Sequence, residues 1–479
     1  MYNNQFLQVF NATFGLLFVP IGLKFACKLC YRYNRDMNII QEFDTITAIS
    51  TPLGTGGVGV IRISGEKSFE ITERIFTGKI TPRMICHGWI VDGDKKVDEV
   101  VVLPFKNPNS YTGEDVIEIQ CHGGINVVKN ILEIVLKTGA RMAERGEFTK
   151  RAFLNKKLDL SQAEAVADLI HSKTQNFAIQ SAKNLSGVLA QKVLEIKGDI
   201  FETLSRIVAG IDFPEDVAEP TYESLMSDFE NEIEKIDKIL SNAQSSNIMR
   251  QGIKIAIVGK PNVGKSSLFN TLLSLDRAIV TDIAGTTRDV LTETLDLGIP
   301  VTLIDTAGIR EDESVDKVEE IGIEYSKQAA KEADLVIFMY DLTSGLNDVD
   351  KIILDFIKDK KHLIIANKCD LSQERPKDAI CISAKAELGI EELKQKIKEI
   401  ILEFSPEDTE FITNKRQQDC LEKAKESLMQ AYMAAKVNEL QDLISIDVKQ
   451  ALLCLDEITG EVITDDILNN IFDNFCIGK

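Results

Sequence analysis

Residues 259–266 read GKPNVGKS, a complete GxxxxGK[ST], directly behind the apolar run 254–258 and ahead of an apolar helical run. Backbone N–H groups in such a loop, with the following helix N-terminus, suit the phosphates of a nucleotide. Lys265 is placed to reach the β/γ-phosphates and Ser266 to ligate Mg²⁺, with Val263, Gly264 and Ser267 completing the cradle. DTAG follows at 305–308: Asp305 suits the Mg²⁺ shell, the Gly308 N–H suits the γ-phosphate, and Thr306 and Ala307 lie between them. NKCD at 367–370 ends another apolar run and contributes Asn367, Lys368 and Asp370. The Asp370 carboxylate matches the paired N1–H and amine donors of guanine, whereas adenine would leave a charge unpaired. Ser383, Ala384 and Lys385 supply backbone contacts to the base. Four motifs in this order specify a guanine nucleotide.

The hydrolytic apparatus differs from that of Ras, where a Gln after DxxG orients the attacking water. Here Ile309 fills that position and cannot do so. Between the two phosphate motifs lies TDIAGTTRD, so Thr281, Asp282, Ile283, Ala284, Gly285, Thr286 and Thr287 are further nucleotide-binding candidates, with Thr287 the second Mg²⁺ ligand. Asn262 adds a side-chain oxygen, and an oxygen site lacking a carboxylate favours a monovalent cation. These residues resemble the potassium-activated GTPases of the translation-factor-like class. The resemblance implies K⁺ held by Asn262 and carbonyls of Thr281, Ile283 and Thr286, doing the work of an arginine finger, about 10³–10⁵ in rate.

Around these motifs the chain changes texture several times. Residues 45–50 and 58–63 read as strands flanking a Gly-rich loop, and 99–103 and 116–120 as further strands, giving a small α+β domain. From Leu158 the pattern is helical; Leu225, Phe229, Ile233, Ile236 and Leu240 form one apolar stripe. From Lys254 short β-rich runs alternate with helices, predicting a mostly parallel sheet. Helical periodicity then returns, which predicts a discontinuous helical bundle interrupted by an inserted α/β P-loop GTPase domain. The expected divisions are 1–40, an N-terminal extension; 41–156, the α+β domain; 157–250 and 405–479, the bundle; and 251–404, the GTPase domain.

The net charge of −20 disfavours a broadly basic nucleic-acid surface. Nine scattered cysteines with one CxxC pair, Cys27 and Cys30, suit a reducing cytosol and make no zinc site. Residues 1–36 differ from the rest: their apolar core, 14–23, is about half the ~20 residues a membrane helix needs and contains Pro20. They read as an extension outside the folded protein, ahead of another Met at position 37, with an upstream start or, as the lesser reading, a targeting segment as its origin.

DTITAISTPLGTGGVGVIRISG from Asp44, YTGEDVIEIQCHGG at 111–124, GEFTKRAFLNKKLDLSQAEAVADLI at 146–170 and a terminal FCIGK, with the inserted GTPase domain, resemble the MnmE (TrmE) family of tRNA-modifying GTPases from about residue 40 onward. The resemblance implies a cytoplasmic homodimer that forms a heterotetramer with the flavin protein MnmG. Together they would convert C5 of the wobble uridine (position 34) of certain tRNAs to carboxymethylaminomethyl or aminomethyl forms. The N-terminal domain would hold a tetrahydrofolate derivative, in its formyl or methylene form, through Arg62, Glu118, Lys157 and Lys479. Glu319 matches the family's water-orienting glutamate and, with Lys265, completes the catalytic candidates. Cys476 is either a thiol near the folate or a packed helix-end residue, and His122 a hydrogen-bonded turn residue. The acidity argues that tRNA is held mainly by the complex, or by a patch at Lys150, Arg151, Lys156 and Lys157. Two rivals remain: a ribosome-assembly GTPase of the Era/Der type, and a regulatory switch without one-carbon chemistry of its own.

Overall fold

The computed structural model describes residues 44–241, 243–276, 292–305, 327–404, 411 and 413–479. The extension with Cys27 and Cys30, the stretch carrying Thr281 to Thr287, and the stretch carrying Thr306, Ala307, Gly308, Ile309 and Glu319 lie outside the described residues. The chain divides into two compact units, one of residues up to 106 with 115–142, the other of 107–114 with 143–479.

The first unit is a six-stranded sheet of order β3-β4-β5-β2-β1-β6, from β1 (Ile46–Ile49), β2 (Val58–Ser64), β3 (Cys86–Asp92), β4 (Lys95–Phe105), β5 (Val116–His122) and β6 (Arg141–Met142). All pairings are antiparallel except β1 with β6. Alternation in VGVIRIS turns Ile61 and Ile63 inward, against the helices α1 (Ser68–Ile75) and α2 (Ile125–Lys137). Gly59 is needed for this packing, because a Cβ there would lie 2.4 Å from the Val128 side chain of α2. The strand β3 was not foreseen; its CHGWIVD has only half-buried alternation and starts at a cysteine rather than a β-branched run.

In the second unit, 107–114 lies against α3 (Glu147–Leu154), with side chains of both meeting. Arg151 is fully buried, with Glu147 at 2.8 Å and Glu114 at 3.2 Å, and Tyr111 shares a 2.8 Å hydrogen bond with Thr149. Arg151 therefore cannot belong to a tRNA-facing patch, and Lys150 is engaged with Asn469 at 2.9 Å. The stretch 143–156 packs with this unit.

The helices α4 (Leu160–Ile170), α5 (Gln175–Leu185), α6 (Val188–Asp212), α7 (Tyr222–Leu240) and α8 (Ala243–Gln251) lead into the second sheet, and α12 (Lys415–Lys436), α13 (Gln441–Thr459) and α14 (Asp465–Phe472) follow it. The stripe on α7 is core: Leu225, Phe229 and Ile236 share one apolar cluster with Leu204 of α6, Leu428 of α12 and Leu455 of α13. Helices on both sides of the insertion thus form one bundle, and the described residues after 410 hold helices and no KH-type sheet. The two chain crossings are tied together, with the Thr413 N–H donating to Ser246 Oγ at 3.1 Å.

Between the crossings lies a six-stranded sheet of order β12-β11-β10-β7-β9-β8, built from β7 (Ile253–Val258), β8 (Thr292–Asp296), β9 (Pro300–Asp305), β10 (Leu335–Asp341), β11 (His362–Asn367) and β12 (Ile380–Cys381). Only β8 runs antiparallel. The helices α9 (Lys265–Asp276), α10 (Asp348–Ile357) and α11 (Ile390–Phe404) accompany it, and apolar clusters cover both faces. Among the described residues no helix is long and apolar enough to cross a membrane.

Candidate guanine-nucleotide site

The motifs converge because each follows the C-terminal end of a parallel strand: the phosphate loop follows β7, Asp305 ends β9, Asn367 ends β11, and Ser383 follows β12. Strand β7 pairs with β9 on one side and β10 on the other, so the loop sits where the strand order reverses, the usual ligand crevice of an open α/β sheet.

Two glycines make the phosphate loop. Gly259 has φ +148°, and a Cβ there would meet the Met339 carbonyl at 2.2 Å; Gly264 has φ +102°, and a Cβ would lie 2.2 Å from Asn367 Nδ2. Between them Asn262 is exposed and left-handed at φ +64°, directing the loop tip outward. The chain enters α9 at Lys265, with Leu268 N–H donating to Gly264 at 2.9 Å, which places the N-terminal turn of the helix at the end of the phosphate loop. Ser266 and Ser267 are exposed on that turn, while Leu268 and Leu272 anchor the helix in the core. Lys265 is buried, its Nζ on the carbonyls of Gly259 at 2.9 Å and Lys260 at 2.7 Å. It lies folded over the loop that a phosphate would occupy.

Asn367 does more than the base-recognition role expected of it. Its Nδ2 donates to the Val263 carbonyl at 2.7 Å and its Oδ1 accepts from Ala384 N–H at 3.0 Å. One buried side chain therefore fixes the phosphate loop to the base loop. Thr271 of α9 adds a second tie, its hydroxyl donating to the Ala384 carbonyl at 2.9 Å. Lys368 is left-handed at φ +64°, with Nζ 2.6 Å from Asp341 at the end of β10. Burial pushes the Asp341 carboxyl up, but hydrogen bonds from Lys368 and Thr343 outweigh it and hold the group below the usual carboxylate range. Asp341 was missed from sequence, though it is the one acid closing the run LVIFMYD. With Lys368 turned toward Asp341, Asp370 stands exposed on the single turn Cys369–Leu371. Lys385 is exposed, and the Ser383 backbone pairs with Leu388 in both directions. The residues present fit the phosphates of a nucleotide, since glycines without room for a side chain, a helix N-terminus and a lysine meet at the C-terminal end of β7.

The other candidates divide between the units. In the first, Arg62 and Glu118 face each other across β2 and β5, with Nη2 and Nε 2.8 and 2.9 Å from Oε1. In the second, Lys157 Nζ donates to the Pro108 carbonyl at 3.0 Å, and the Lys479 carbonyl accepts from Phe148 N–H at 3.2 Å. His122 is not in a turn: it ends β5, its Nδ1 2.6 Å from Asp98. Cys476 is exposed, its Sγ 3.8 Å from His171 Nε2.

Two family models match this chain: "MnmE helical domain" over residues 160–476, and "GTP-binding protein TrmE N-terminus" over residues 45–157. The chain is similar to the tRNA modification GTPase MnmE of Clostridioides difficile (strain 630), 44% identical over 91% of this chain and 99% of that one. The same holds for the tRNA modification GTPase MnmE of Alkaliphilus metalliredigens (strain QYMF), at 44% identity and the same coverage. Among solved structures, Era of Aquifex aeolicus bound to GDP and aluminium fluoride shares 29% identity over 37% of this chain and 67% of that one, at a TM-score of 0.25. On its helical domain, its N-terminal domain and its full-length relatives, the chain belongs to the MnmE (TrmE) family.

Proposed function

We propose that this chain is a K⁺-activated GTP hydrolase that, with MnmG, modifies C5 of the wobble uridine of certain tRNAs using a one-carbon unit from tetrahydrofolate. The observation that carries the nucleotide half is the single side chain of Asn367 holding the phosphate and base loops together. Membership of the family carries the tRNA half. Lys265 leaves the Gly259 and Lys260 carbonyls for the phosphates, the first turn of α9 supplies N–H donors, and Asp370 selects guanine. Ser266 and Thr287 would hold Mg²⁺. Asn262, with carbonyls of Thr281, Ile283 and Thr286, would hold K⁺; bound at these residues, the two ions would supply positive charge against a phosphoryl group in transfer. Glu319 would orient the water that Ile309 cannot. Arg62, Glu118, Lys157 and Lys479 would bind the folate. The protein acts as a cytoplasmic homodimer joined to MnmG, which carries most of the tRNA contact.

The test is mass spectrometry of tRNA nucleosides from cells lacking this protein and from cells with it restored, together with GTP turnover of the purified protein in K⁺ and in Na⁺. Loss and return of the 5-substituted uridines, with turnover at least ten-fold faster in K⁺, is expected. Unchanged nucleosides would remove the tRNA assignment, and equal turnover in the two salts would remove the potassium site.

A further inference from the structure

We propose that Asp350, at the start of α10, is a positioning residue for the phosphate loop and acts through Lys260. The proposal rests on the guanine-nucleotide reading of the site. Lys260 is the variable residue after Gly259, and its Nζ lies 3.0 Å from Asp350 Oδ2. Its carbonyl is also one of the two that receive Lys265 Nζ. The backbone that parks the catalytic lysine is therefore tethered, through the same residue's side chain, to a different element of the fold.

Asp350 is built into that element. It is 2% exposed as a side chain, and its Oδ2 also accepts the Asn347 N–H at 3.0 Å, while its own N–H donates to Asn347 Oδ1 at 3.2 Å. This reciprocal capping box fixes the carboxylate to the first turn of α10. Its other oxygen, Oδ1, is buried with no hydrogen-bond partner among the described residues, so the Lys260 ammonium is the cation that compensates it. Exposed Asp348 on the same turn adds a weaker attraction for Lys260.

The loop is thus held at two limbs from two places. Asn367 takes the far limb at Val263, and Asp350 takes the near limb at Lys260. The near limb needs a tether, because Gly259 has no side chain and its φ of +148° is one of many conformations open to glycine. A loop ordered before the ligand arrives binds more tightly than one the ligand must order.

The experiment is a double-mutant cycle in the full-length protein with Asp350→Asn, Lys260→Met and the pair. Dissociation constants for fluorescent GDP, KM and kcat for GTP, and thermal midpoints are measured throughout. Asp350→Asn retains an acceptor for the Asn347 N–H but loses the charge that holds Lys260. Each single change is expected to weaken GDP about ten-fold, and the double change by about the same factor rather than a hundred-fold. KM rises while kcat stays within about two-fold, because the tether sets the loop and touches no reacting atom. Lys260→Met also lowers the thermal midpoint by stranding the buried carboxylate, and adding Asp350→Asn restores the midpoint but not the affinity. An Asp350→Asn protein that binds GDP like the parent overturns the proposal, as does a strictly additive cycle. So does a loss confined to Lys260→Met, which would mean direct contact with phosphate. Failure of the unmodified protein to bind GDP would instead sink the nucleotide reading beneath it.

Discussion

Replacing Asn367 by Ala removes the side chain that joins the two halves of the nucleotide site. Two hydrogen bonds disappear, at 2.7 and 3.0 Å, and their partners, the Val263 carbonyl and the Ala384 N–H, belong to buried residues. Each stranded group costs about 1–3 kcal/mol, and local relaxation recovers part of that, leaving about 2–4 kcal/mol. Bound nucleotide must now impose the loop spacing that Asn367 provided, so the loss appears mainly in affinity, about 30- to 1,000-fold in Kd. Asn367→Asp gives a sharper contrast. It keeps an acceptor for Ala384 but sets a carboxylate against the Val263 carbonyl, and should bind at least as weakly as the alanine variant. Titration with fluorescent GDP measures the affinity, and far-UV circular dichroism confirms that the sheet persists. A folded Asn367→Ala protein whose GDP affinity is within three-fold of the parent would refute the reasoning.

Two further outcomes concern stability. Arg416 forks onto Glu164 at 2.8 and 2.7 Å, where Gln417 also donates, so Arg416→Met strands a buried carboxylate and should cost about 3–5 kcal/mol; urea denaturation reads this, and Glu164→Gln added to it should recover most of the loss. Glu232 lies buried in the bundle with Oε1 3.3 Å from the Thr203 hydroxyl, and burial, helped by Asp228 and Asp199, pushes its carboxyl up to about 8. The folded chain then keeps a proton that the unfolded chain releases near 4.5, so stability falls as pH rises from about 4.5 to 8 and levels off above. Burial likewise raises Asp168 to about 6, with the same sign over a narrower window, so the interval from pH 6 to 9 isolates Glu232. Across it, Glu232→Gln should flatten the decline in urea midpoint; a parallel decline in both proteins would show that another group is responsible.

What could be read from sequence was whatever is carried by local residue type. Gly259 and Gly264 announce a phosphate loop because no other residue fits their backbone, and the α7 stripe announces a buried face because helical period is local. What escaped were relationships between segments far apart in the chain. Asn367 could be recognised as a base-recognition residue, yet its two bonds depend on loops 104 and 17 residues away. Arg151 looked like one member of a basic patch because nothing local shows that Glu114, 37 residues earlier, lies beside it. Strand β8 lacks a strong apolar alternation and exists because β9 offers it an antiparallel edge.

The shared core of α6, α7, α12 and α13 has a consequence for synthesis. The first two helices leave the ribosome about 170 residues before Phe411 can begin to complete their core, with Leu421 and Leu428 later still, a wait of about 10–30 s at ordinary elongation rates. During that interval Leu225, Phe229 and Ile236 have no native partners from the second half, while the nucleotide-binding sheet, whose own core is nearly contiguous in sequence, can fold. The guest thus matures before its host. Its ends must then come together, as the Ser246–Thr413 bond requires, before the bundle closes. Nascent chains halted in this window should therefore be clients of chaperones that bind apolar helices, even when their nucleotide-binding domain is already native.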